Sequence, residues 1–428
     1  MAVRAILRSF AHRNFRLFFT GQGLSLIGTW MQQTALPWLV YSKTGSPLWL
    51  AAVSFAGQFP AVFLAPIAGV YADQLNKRRV LLVTQTLSML QAFLLAFMAY
   101  TDRGGVWTLL VLNASLSAVN SFDLTSRQAL LNEMVESKED LGNAIALNSS
   151  FFNSARLIGP AIAGYLIPII HESGCFVVNG LSFLAVLVSL AAMRLKPRVE
   201  VEKHPSVWEG LRDGLRYSRE SFPIRAILVL VALIGFFGVP YNVLLPVVAD
   251  KHLHGGAETY GWLLATSGLG ALTGALFLAS RSSVFGLLRP IVLTPAVVGV
   301  CLLSLSLFPS RWAALPLVFL IGLCIVSLLT TCNTVLQTIV ADKMRGRLLS
   351  LYAMTFMGLA PLGGLLAGTL TRTLGIVVSL QIIGSALIAG ATLFIVFVSR
   401  PMRDQAKQAI REKNELADRE PFPAEADA

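Results

Sequence analysis

The chain has 428 residues, 55% of them hydrophobic and only 13% charged, with a formal net charge of +11. A water-soluble domain carries about 25% charged residues, so this chain cannot cover itself with a solvated surface. Apolar stretches of about 20 residues recur from end to end, which excludes a large soluble protein with a greasy core.

The opening "MAVRAILRSFAHRNFRLFF" is basic and runs straight into a full-length apolar stretch, so it reads as part of the first span and not as a cleaved leader. Twelve apolar segments follow, at 15–41, 48–72, 79–101, 106–132, 143–170, 174–194, 224–249, 257–280, 286–307, 312–340, 347–374 and 376–399. At about 1.5 Å per residue, each helix can cross a hydrocarbon layer of ~30 Å, some of them tilted. The expected fold is therefore an all-α membrane protein with twelve transmembrane helices in two pseudo-symmetric six-helix bundles. The bundles span 1–198 and 223–400. Between them, 199–222 is charged and partly amphipathic and reads as a linker. The polar end, 401–428, reads as a disordered tail.

Lysine and arginine placement sets the orientation. One side collects Arg4, Arg8, Arg13, Arg16, Lys77, Arg78, Arg79, the linker's basic residues, Lys343, Arg345, Arg347 and those from Arg400 onward. The other side has Lys43, Arg103, Lys251, Arg311 and Arg372. Both termini and the linker are thus expected in the cytoplasm, with the protein in a cytoplasmic (inner) membrane. The basic excess is a topology signal, which removes the nucleic-acid reading. The four cysteines show no CxxC spacing and read as buried small residues, not as a disulfide framework or metal site. "KHLHGG" has no third ligand nearby and reads as a polar loop. No glycine-rich loop ending in Lys-Ser/Thr is present, so ATP is not the energy source. No catalytic constellation or cofactor motif is found, and an enzyme is not expected.

The halves resemble each other. "RQALLNEMVESKEDLGNAIALNSSFFNSARLIGPAIAGYL" and "NTVLQTIVADKMRGRLLSLYAMTFMGLAPLGGLLAGTL" each read as a polar-flecked helix end, a charged turn, a helix of small residues, then Pro with Gly shortly after. Two related halves around a shared midplane site are a transporter pattern.

The turn after segment 2 reads "GVYADQLNKRR", holding Gly69, Asp73, Asn76, Lys77 and Arg78. It resembles the G-x-x-x-D-R-x-G-R-R signature of the major facilitator superfamily, with Gln74 for a basic residue and Asn76 for the second glycine. Asn tolerates the left-handed backbone that a tight turn uses. Asp73 ends a helix at its negative pole and needs an outside positive partner. The resemblance implies that this partner is the start of segment 11, around Arg347, forming a gate that latches the cytoplasmic side. "RNFRLFFTGQGLSLIGTWMQ", "FDLTSRQAL", "NAIALNSSFFNSARLIGPAIAG" and "RGRLLSLY" together resemble the subgroup that holds the enterobactin exporter and drug-efflux proteins, over about residues 10–400. That resemblance implies ion-driven export of small amphiphilic molecules by alternating access, with protons the usual ion. The bilayer and a small-molecule or lipid-like cargo are then the partners, and a monomer is expected. Movement of lysophospholipids on the same fold is the alternative.

Two charges sit within segment 4. Asp123 lies about 14 Å from the cytoplasmic end by helix rise, with Arg127 one turn nearer it. Residues four apart share a helix face and can pair. Arg156 lies at about 20 Å in segment 5, too deep to reach the interface easily, so it needs a buried partner or a wet cavity. Asp123 matches it in depth. An Arg127–Asp123–Arg156 cluster on the cavity wall carries a local charge of +1 and suits anionic cargo. Two guanidiniums also make Asp123 a poor proton carrier until cargo draws one away. The alternative is a brace between segments 4 and 5 that touches no cargo. Gly159, Pro160 and Gly164 permit close contact and a bend in segment 5. Further cavity candidates are Trp30, Gln32 and Gln33 in segment 1, Phe237, Tyr241 and Asn242 in segment 7, and Asn333 and Gln337 in segment 10. Each of these also fits a packing or interhelical role.

Overall fold

The computed structural model describes residues 8–135, 138–193, 207–281, 290–340 and 342–402, together with 404, 405 and 408. Within these, the chain is helical almost throughout and contains no strand. A bilayer core offers no water to backbone amides, so a spanning chain must satisfy them within the helix. Segments 1, 3 and 4 are Arg13–Thr44, Lys77–Tyr100 and Val106–Met134. Segments 5 and 6 form one helical run, Lys138–Ala192, that reverses at His171, where φ is 57°. Segments 8 to 12 are Ala257–Ala279, Pro290–Leu307, Arg311–Ile339, Asp342–Leu374 and Ile376–Phe397.

Segments 2 and 7 are interrupted, each for a visible reason. Segment 2 comprises Pro47–Ala56 and Phe59–Gln74. Pro60 cannot donate a backbone hydrogen bond into the first piece. Asn113 of segment 4 caps the break by donating Nδ2 to the Val53 carbonyl at 2.8 Å. Segment 7 runs Phe222–Leu233, a π-turn Ile234–Gly238, Tyr241–Val247 and a second π-turn Val248–His252. Pro240 and Pro246 each lack the amide that would continue a regular ladder, and the wider turns absorb the mismatch.

The turn before segment 3 departs from expectation. Asn76 is extended, with φ −68° and ψ 106°, and its side chain accepts from the Arg79 amide at 3.1 Å. It is a helix N-cap, the commonest use of Asn ahead of a helix, and not a left-handed turn residue. The stretch between the halves also holds structure: Val207–Glu220 is a helix lying against the start of segment 11, where Arg347 donates to Asp213 at 2.6 Å. Residues 199–206 and almost all of 401–428 lie outside the described residues.

The two halves touch on the face away from the termini. There the Tyr41 hydroxyl donates to Asp250 at 2.7 Å, and the rings of Trp38 and Tyr260 stack at 5.9 Å. A Cβ placed on Gly164 of segment 5 would lie 2.8 Å from Cα of Gly261 in segment 8. One on Gly368 of segment 11 would lie 2.5 Å from Cβ of Ala51 in segment 2. Small residues allow this backbone approach. The contact loosens toward the termini. Among the described residues, a Cβ on Gly358 meets only Val62, at 3.9 Å, and one on Gly69 meets nothing within 4 Å. The bundle is thus wedge-shaped between its halves, shut on one face.

Candidate functional site

Segment 3 brings the polar groups that segment 4 needs. Its Thr84, Ser88 and Gln91 fall on one helical face and are all buried, as is Gln85. Asp123 is 4% exposed. Thr84 Oγ1 and Gln85 Nε2 both donate to its Oδ1, at 2.9 and 2.7 Å. Its other oxygen accepts from Arg127, one helical turn on. The carboxylate therefore has three donors, two uncharged and one a guanidinium, which offset the cost of burying it. The set is not saturated: Gln85 Oε1 and Arg127 Nε are buried with no partner among the described residues.

The predicted pairing of Asp123 with Arg127 thus forms, but Arg156 is not part of it. Among the described residues, no ion pair joins Arg156 to Asp123. The guanidinium of Arg156 sits 5.9 Å from the Trp30 ring centroid. Trp30 in turn meets Phe152 edge-on at 5.7 Å. The reason is the azimuth of segment 5. Gly159, three residues after Arg156, lets that helix close on segment 1, where an added Cβ would lie 2.5 Å from Cβ of Trp30. Arg156 is carried to the same face, toward segment 1 and away from segment 4. It also lies within electrostatic reach of Tyr241 in segment 7 of the other half. Tyr241 is buried, with its hydroxyl 2.5 Å from that of Ser267.

A second buried network lies deeper in the first half. Asn179 of segment 6 donates to Gln32 at 2.8 Å, and Gln32 donates to Gln91 at 3.0 Å. Gln32 is therefore an interhelical link between segments 1, 3 and 6, whereas Gln33 is exposed. In the other half, Asn333 and Gln337 pair with each other at 2.5 Å along segment 10. Phe237 meets Phe236 edge-on at 4.9 Å, and Phe237 and Asn242 are half-buried.

The expected gate is only partly described. The side chain of Asp73 lies outside the described residues. Lys77 pairs with Glu133 at the end of segment 4, and Arg78 donates to the Leu190 and Ala191 carbonyls at 2.7 and 2.6 Å, capping segment 6. Arg347, expected opposite Asp73, is engaged by Asp213 of the helix between the halves, which the sequence reading treated only as linker. Gly159 and Gly164 serve close packing, and the backbone angles remain helical through Pro160, so the expected bend takes no break in the helix there.

Thr84, Gln85, Ser88, Gln91 and Asn179 were missed as site-supporting residues. The signal for the first four is the spacing "TQTLSMLQ" inside an otherwise apolar span, a polar stripe with helical period, and for Asn179 it is a lone amide within the apolar segment 6.

Among the described residues, membrane-spanning helices in two halves enclose buried ionisable and aromatic groups, the architecture of a multi-pass membrane transporter of the major facilitator type. The solved structures agree on the fold: a nucleoside transporter, NupG, matches with a TM-score of 0.70 at 13% identity, covering 90% of this chain and 98% of that one. A bacterial homologue of the iron transporter ferroportin in an inward-facing state matches with 0.67 at 16% identity, covering 91% and 99%. The chain belongs to the family described as transmembrane secretion effector, whose model matches residues 5–420. Among curated relatives, the staphyloferrin A transporter of Staphylococcus aureus (strain NCTC 8325 / PS 47) is 27% identical over 390 residues, covering 91% of this chain and 97% of that protein. The multidrug efflux pump Tap of Mycolicibacterium fortuitum is 26% identical over 366 residues, covering 83% and 87%.

Proposed function

We propose that the chain is a proton-coupled exporter of small amphiphilic or anionic molecules, of the siderophore or drug kind, working by alternating access in the cytoplasmic membrane with both termini inside. The observation that carries this reading is the buried Asp123 carboxylate. An ionisable side chain within a span is costly unless it has work to do. Asp123 sits one turn from Arg127, whose long stem can swing the guanidinium toward the interface. An anion that draws Arg127 away leaves Asp123 without its counter-charge and open to a proton. Cargo and proton then use the same ion pair in alternation.

Arg156, Trp30 and Phe152 supply a second element, a cation backed by aromatic surface. That combination suits an amphiphile with an acidic group. In the orientation we propose, the face on which the halves meet is the outer one, and the looser side faces inward. The relatives that carry siderophores and drugs support export of this kind.

The test is transport in proteoliposomes with an imposed pH gradient, scanning siderophores, cationic and anionic drugs, and lysophospholipids. Gradient-dependent movement of an acidic amphiphile supports the proposal. Movement confined to lysophospholipids, or indifferent to the gradient, overturns it.

A further inference from the structure

A cavity lies outside the Asp123 site and shares no residue with it. It has a volume of about 460 Å³, opens on the face away from the termini, and is lined from both halves. The first half contributes Ser46, Pro47 and Trp49, where segment 2 begins; the second contributes Lys251 in the last turn of segment 7 and Thr371 and Arg372 at the end of segment 11.

Three independent features give it one electrostatic sense. Lys251 and Arg372 both line it, neither forms an ion pair among the described residues, and none of the lining residues is acidic. Segment 2 presents its N-terminus here, with Pro47 at the first turn and no side-chain cap from Ser46. Uncapped amides and the helix dipole favour an anion at such an end. Thr371 is 5% exposed, and its hydroxyl has no hydrogen-bond partner among the described residues. A buried hydroxyl left unpaired is destabilising and marks a place where a ligand group can be received.

We propose that this cavity binds a small multiply charged anion, such as a polycarboxylate. Lys251 and Arg372 supply charge-assisted hydrogen bonds, the start of segment 2 and Thr371 add uncharged donors, and Trp49 packs against the anion's carbon skeleton. Because the walls come from both halves, the site exists only while they touch on this face. Occupancy therefore holds that face shut. The inference concerns binding and closure and does not rest on proton coupling at Asp123.

The probe is propane-1,2,3-tricarboxylate, with its neutral triamide as control, titrated onto the full chain in nanodiscs of zwitterionic lipid. Binding is read by thermal shift. Closure is read by the distance between spin labels at positions 103 and 311, which are exposed on this face in opposite halves. The tricarboxylate should bind saturably and narrow the distance distribution to its short component, while the triamide does neither. Each cation contributes about tenfold in affinity, so Lys251→Gln/Arg372→Gln should weaken binding about a hundredfold. Thr371→Val, a milder change, should weaken it severalfold while the melting temperature in the absence of anion is no lower than that of wild type. Adding phosphatidylglycerol to the nanodiscs identifies the source. A lipid headgroup as natural occupant lowers the apparent affinity for the probe, and a dissolved anion leaves it unchanged; either result keeps the site. Equal titrations for wild type, Thr371→Val and the double variant, or equal responses to tricarboxylate and triamide, would overturn the proposal.

Discussion

Replacing Asp123 by Asn keeps the side chain's shape and its acceptor for Thr84 and Gln85, but removes the counter-charge of Arg127. The side chains of Asp123 and Arg127 are 5% and 18% exposed. Removing one partner of a buried pair costs about 3–5 kcal/mol, because the other charge is left uncompensated. Arg127 is not sealed in and can turn toward the interface, so the lower end applies, about 3 kcal/mol, or several degrees in melting temperature for a chain of this size. Arg127→Leu should destabilise comparably, by stranding the carboxylate. The double variant, Asp123→Asn/Arg127→Leu, has no charge to strand, and an apolar replacement of a buried pair is often close to neutral. With about 3 kcal/mol lost in each single variant and close to none in the double, the cycle should return a coupling approaching about 6 kcal/mol. The assay is thermal unfolding of the four proteins in nanodiscs of one lipid composition. Additive losses, with the double variant as unstable as the two singles summed, would refute the claim that these groups stabilise each other.

Other consequences follow from the contact between halves and from the second cation. Tyr41→Phe deletes a hydrogen bond to a carboxylate across the halves. Asp250 is exposed and can take water instead, so the loss is about 1.5 kcal/mol and the closed population on that face should fall roughly tenfold, read by the labels at 103 and 311; an unchanged distribution would count against the latch. Gly164→Val places side-chain atoms where Gly261 Cα and the Ala257 carbonyl already stand, 2.8 and 3.1 Å from the new Cβ. The folded protein should persist with the same labels held far apart, and a short distance in a well-folded Gly164→Val would contradict the close-approach argument. Arg156→Ala should weaken binding of anionic cargo about tenfold and of neutral cargo less, because it removes a half-buried cation beside Trp30; equal loss for both, by equilibrium binding, would assign Arg156 to packing alone.

The twelve spans were legible because the bilayer permits one solution to the backbone problem, and long apolar runs announce it. Asp123 with Arg127 was legible as well, since four residues on a helix fix both depth and azimuth. Arg156 was legible in depth only. Two helices joined by a turn share a depth scale, but nothing in the sequence sets their mutual rotation, and Gly159 turns Arg156 to Trp30. The cap at Asn76 was written in its position ahead of "KRRVLL", but the resemblance to a glycine-bearing turn drew the reading elsewhere. The polar stripe of segment 3 was equally visible and was passed over in favour of segments 1, 7 and 10. The pairing of Arg347 with Asp213 depends on a short helix docking from the charged stretch between the halves, which composition alone presents as linker.

The most direct measurement of the account is cargo accumulation against its own gradient in proteoliposomes, comparing wild type with Asp123→Asn under imposed pH gradients of either sign. Wild type should accumulate cargo when protons flow the opposite way and reverse when the gradient is inverted. Asp123→Asn should equilibrate cargo at a rate indifferent to pH. Uphill transport by that variant, following the proton gradient as wild type does, would contradict the assignment of the proton to Asp123.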